Sequence, residues 1–60
     1  MMTKQIAIKY LESYNSKTKI YKIYDDGSVS QAILILIPKF EYPDWSHKTV
    51  GDILKVVKEE

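Results

Sequence analysis

The sixty residues include no cysteine and no arginine, only two glycines and two prolines, and no apolar run longer than six. Each of these absences removes a class of function. Without cysteine there is no disulfide framework and no thiolate metal site to staple a small core. Without arginine the bidentate contacts that read guanine or clamp a phosphate are missing, although lysine can still hold a nucleic-acid backbone. Gly27 and Gly51 stand alone, so no glycine-rich phosphate loop is present. The longest apolar run, Ala32–Ile37, is far short of the roughly 20 residues that span a bilayer. The first fifteen residues carry no unbroken apolar stretch of the secretory kind. A cytoplasmic protein without a membrane segment is expected.

What is present is enough for one domain, residues 1–60. A domain of this length hides only about 60% of the surface of its unfolded chain, so its stability is marginal. Apolar residues make up 45% and charged residues 28%, the balance of a globular chain. The net charge of +1 conceals an asymmetry. Residues 1–24 carry five lysines against Glu12, whereas residues 25–60 carry four lysines against seven acids.

Ala32–Ile37 organises the rest. Six apolar residues rich in isoleucine and closed by Pro38 read as a strand buried on both faces. Before it, residues 18–25 (TKIYKIYD) mix β-branched, aromatic and lysine residues in the manner of a strand with one wet face. Asp25-Asp26-Gly27-Ser28 supplies the turn, with Gly27 free to take a positive φ. The expectation is therefore a β-hairpin, 18–25 paired with 29–37.

Helices are expected on either side. In residues 3–15, Ile6, Ala7, Tyr10, Leu11 and Tyr14 share one stripe of period 3.6. Thr3 can cap the start and Asn15 can end it in the left-handed region. A strand through Ile6, Ile8 and Tyr10 is the competing reading. It would give a three-stranded meander plus a C-terminal helix. Residues 49–59 form the last helix, with Thr49 and Asp52 as a capping box and Val50, Ile53, Leu54 and Val57 as its apolar stripe. Gly51 in its first turn costs about 1 kcal/mol against alanine and is expected to fray it. The fold class expected is α+β.

Few constellations carry chemistry. Asp44, Ser46 and His47 lie within four residues, but a catalytic triad needs partners converging from separate elements. One histidine with scattered carboxylates offers no zinc spacing, and no acidic loop suits calcium. Asp25-Asp26 before a glycine is turn chemistry before it is a magnesium site. No cofactor, no metal and no catalytic residue is expected, and the chain is not expected to be an enzyme.

Two stretches suit binding. The loop PKFEYPDWSHK presents Phe40, Tyr42 and Trp45 between and after prolines, and tyrosine and tryptophan are the residue types enriched at protein–protein hot spots. Lys17, Lys19, Tyr21, Lys22 and Tyr24 interleave cations with rings, as in surfaces that stack single-stranded bases. A small binding or regulatory protein acting through protein contacts is the expectation, and nucleic-acid binding is the alternative. Covering both faces of Ala32–Ile37 asks for more material than two short helices offer, which points to a homodimer. Its partner is thus a second copy or another protein.

The run of strand, Asp25-Asp26-Gly27, strand, Pro38 and a helix opened by Thr49 resembles the small domain of HicB-type antitoxins. Two helices flanking a hairpin with Gly27-Ser28 in its turn resemble HicA-type RNA-cleaving toxins, with Val29 where that family carries a histidine. The two resemblances imply incompatible functions, and the chain is identified with neither family.

Overall fold

The structure, a computed structural model, describes residues 2–59. In chain order they form α1 (Lys4–Glu12), α2 (Ile20–Ile23), α3 (Gly27–Leu36), α4 (Tyr42–Trp45) and α5 (Val50–Lys58). No strand occurs among the described residues, so the fold is all-helical and the expected α+β class is wrong. With the hairpin go the three-stranded alternative and the geometry on which both family resemblances rested.

The correction centres on α3. Val29, Ala32, Ile33 and Leu36 are buried, the i, i+3, i+4, i+7 stripe of a helix. An unbroken apolar run satisfies this stripe as readily as it satisfies two faces of a strand. Isoleucine costs at most about 0.7 kcal/mol in a helix, whereas burying a large aliphatic side chain contributes about 1.5–3 kcal/mol. Packing therefore overrides β propensity.

The expected turn is a helix start instead. Asp26 is the N-cap and its carboxylate accepts from the Ser28 N–H at 2.8 Å. Gly27 has no positive φ and needs none. Pro38 ends α3 rather than a ladder: Ile37 before it has left the α region, which a following proline disfavours, and lies at φ −129°, ψ 86°.

Residues 18–25 form α2 with its flanks. Only Ile20 of this helix is buried. Backbone pairing survives here in another form, since the approach to α2 runs antiparallel to the approach to α5. The Ile20 N–H donates to the Lys48 carbonyl, Val50 N–H to Thr18 and Gly51 N–H to Ser16, each at 2.9 Å. Lys19 and Thr49 form an isolated antiparallel bridge at its centre.

The two outer helices follow the sequence reading in their position and caps, but Ile6, expected on the core stripe of α1, is half exposed while Ile8 packs against the core. Thr3 caps α1 by accepting from Ile6 N–H, and Ala7 and Leu11 are wholly buried. Asn15 does not take the left-handed region, since no described residue has a positive φ. Its side chain accepts from Lys17 N–H in a short turn. In α5, Thr49 and Asp52 form the capping box, and Val50, Ile53, Leu54 and Val57 are buried. Gly51 does not fray this helix. A Cβ there would lie 3.0 Å from the Ser16 carbonyl oxygen, so glycine is what lets the two backbones meet. Helix α1 packs on α3 and α5, and all five helices and Phe40 bury side chains in or against a single core.

Candidate protein-binding site

The loop aromatics are spent on the fold. Phe40 is buried, stacked on Tyr24 at 5.6 Å between centroids, and Trp45 follows at 5.9 Å. Tyr42 packs on Tyr24 at 4.6 Å and keeps 37% of its surface exposed. Lys48 lies over the Trp45 ring at 4.8 Å. The expected eleven-residue loop thus contains the helical turn α4, with Pro43 in its first turn. These rings plug one end of the core, and Tyr42 alone offers a partner a large free face.

The lysine-rich stretch is not a strand, and its two tyrosines part. Tyr24 belongs to the aromatic cluster, while Tyr21 is 51% exposed. Lys17, Lys19 and Lys22 are exposed, and the backbone pairing of 16–21 with 46–51 brings Lys48 beside them. Lys19 Nζ donates to the His47 carbonyl at 3.2 Å. Among the described residues the ion pair within 4.0 Å is Lys58 with Glu12, so these four lysines hold no carboxylate at that distance.

Neither helix start beside these features is free to bind an anion. At α5 the first N–H groups are taken by Thr18, Ser16 and the Thr49 hydroxyl. The Thr49 N–H and hydroxyl in turn donate to Asp52, which holds that carboxyl below its ordinary value; the backbone bond is the main cause. At α3 the Asp26 carboxylate occupies the cap and accepts from the Tyr10 hydroxyl at 3.2 Å. A hydrogen bond with Tyr14, some burial and the nearby Asp26 push Tyr10 up to about 12. Asp25 thus lies in the turn between α2 and α3, and Asp26 caps α3. Asp44 and His47 are exposed, and the Ser46 carbonyl accepts from Tyr21 N–H. No group of three or more His, Cys, Asp or Glu gathers as a metal site among the described residues.

Among the described residues Ile6, Tyr21 and Leu34 are large apolar or aromatic side chains about half exposed, and Leu34 lies on the outer face of α3. Its ten residues, GSVSQAILIL, include no charge. Gly27, Ser28, Gln31 and Leu34 are its exposed residues, Leu34 at 46%, and Pro38 just beyond its end is exposed as well. Beside it a groove of about 470 Å³ runs between the end of α3 and α5, lined by Ile35, Ile37, Pro38 and Val56 with Lys4 and Lys39 on its rim. Val56 is itself 39% exposed. Sequence reasoning missed this site because it assigned the whole run to a buried strand. Read at 100° per residue, Leu34 falls off the stripe of residues 29, 32, 33 and 36, and that was the available signal.

No family model, curated protein or solved structure matches the chain. What the protein does is argued from this geometry alone. Among the described residues no helix is long and apolar enough to cross a membrane.

Proposed function

We propose that the chain is a small non-enzymatic binding or regulatory protein of the cytoplasm that acts through protein contacts, made by the outer face of α3. The observation that carries this is Leu34, nearly half exposed in the middle of a helix without a single charged residue. The outer side of α3 carries no charge, only Gly27, Ser28 and Gln31 beside Leu34, and a large aliphatic side chain in such a setting is one that a partner can cover. In this reading the loop aromatics serve the fold first, because Phe40, Tyr42 and Trp45 pack with Tyr24 in one cluster. A photoreactive residue placed at exposed Gln31 tests the reading in cells. A discrete protein adduct is expected from Gln31 and none from Lys9, which is exposed on α1. If position 31 yields only water-quenched product, the reading fails.

A second reading, binding of single-stranded nucleic acid, is supported by one observation: the backbone pairing that sets the segment carrying Lys17, Lys19 and exposed Tyr21, with Lys22 next to it, against the segment carrying Lys48. It predicts that log affinity falls linearly with log salt, and that replacing Lys17, Lys19 and Lys22 with glutamine flattens the slope. Retention that ignores both salt and the triple change removes it.

A further inference from the structure

We infer that the occupant of the α3 face is a second copy of this chain, the two α3 helices lying antiparallel about a two-fold axis. This deepens the protein-contact reading and rests on it. Three features of the face together favour that arrangement.

The first is size. The exposed stripe is small at its start, Gly27 and Ser28, and large at its end, Leu34 and Pro38 with Ile35 beside them. Antiparallel packing sets the large end of each helix on the small end of the other. Parallel packing would crowd large on large and leave a gap at the start.

The second is charge. Asp25 and Asp26 lie just before α3 and Lys39 lies three residues after it, with nothing charged between them. An antiparallel pair brings each Lys39 to the acidic start of the other helix, twice by symmetry. The helix dipoles then oppose each other favourably. The groove rim alone, Lys4 and Lys39, would suit an acidic partner of another kind, and the test below separates that case.

The third is Gly27. A Cβ there would meet nothing within 4 Å and its φ is not positive, so the single chain gives no reason for glycine. The close approach of a neighbouring helix does. A stable interface buries about 800 Å² per partner, roughly a fifth of the 4151 Å² surface of this chain. One face of a helix about 15 Å long cannot supply that area, so the groove with Ile37 and Val56 belongs to the contact as well.

Sedimentation equilibrium of the full chain from one to a hundred micromolar decides it. The wild type should approach twice its 7.0 kDa mass as concentration rises. Leu34→Asp should remain monomeric with an unchanged helical circular dichroism spectrum. Lys39→Glu, which sets like charges against each other, should weaken association about tenfold. Adding Asp25→Lys to it should restore the wild-type affinity, which general loss of folding cannot do. A monomeric mass throughout overturns the inference, as does a dimer indifferent to Leu34→Asp or a double variant that stays weak. If the mass is monomeric while Gln31 still yields a protein adduct, the self-association is wrong and the protein-contact reading stands. If neither appears, both fall.

Discussion

The two glycines make opposite demands on their surroundings. At Gly51 a methyl group would press on the Ser16 carbonyl oxygen at 3.0 Å, the acceptor of that residue's own N–H. Alanine gains up to about 1 kcal/mol in helix propensity but stands to lose a backbone bond of similar worth and to displace the pairing of 16–20 with 48–51. We expect Gly51→Ala to destabilise the fold by about 1 kcal/mol, read as a lower urea midpoint. A raised midpoint would mean that Ser16 yields without cost. Gly27→Ala meets open space and should instead raise the stability of the single chain by about 0.5 kcal/mol, measured at submicromolar concentration. The same change should weaken self-association, because it fills the close approach between the two helices.

Helix caps decide more of this fold than strand propensity does. Thr49 accepts from Asp52 N–H at 3.3 Å while Asp52 accepts from Thr49 N–H at 3.0 Å. Thr49→Ala should cost about 1 kcal/mol in the urea midpoint. The Asp52 carboxyl is held below its ordinary 3.8, so its charged form is favoured by the folded state. Its contribution is therefore present above the unfolded value and lost as pH falls through the folded one. Asp52→Asn should lower the thermal midpoint modestly at neutral pH, and the difference should close well below pH 3.8. A gap that persists in acid would place the effect in packing rather than charge. These caps also mark what was legible in the sequence. Thr3, Thr49 and Asp52 announced α1 and α5 because cap residues and a period of 3.6 agree there. Asp26-Gly27-Ser28 serves equally as a turn or as a cap, and Ala32–Ile37 has no period at all. Between them α3 reads as a strand, and the one local sign otherwise is that Val29, Ala32, Ile33 and Leu36 also fit a helical stripe that leaves Leu34 out. The short α2 and α4 were hidden for another reason: four residues are too few to show a stripe. The binding face was lost with α3, since Leu34 stands out only once the segment is a helix.

At the scale of the molecule, the exposed apolar face is not a symptom of loose packing. A chain of 7.0 kDa is expected to expose about 4,000 Å², and this one exposes 4151 Å². Its Cα radius of gyration, 10.1 Å, is that of an ordinary domain of this length. The core is closed, no buried side-chain polar atom lacks a partner among the described residues, and Leu34 lies outside it all the same. What a second copy adds is therefore stability rather than the fold itself. Folding of so small a domain leaves few kcal/mol in hand, and association of the folded form draws the equilibrium further toward it. Raising concentration a hundredfold across the dissociation constant should therefore raise the thermal midpoint of the wild type by several degrees, since about 1 kcal/mol moves a domain of this size by roughly 4–8 °C. Leu34→Asp should melt at one temperature at every concentration, and cooperatively, because its twelve buried apolar residues are untouched. Should that variant fail to melt cooperatively even at high concentration, the single chain would not be a folded unit, and the face of α3 would be part of the core rather than a surface.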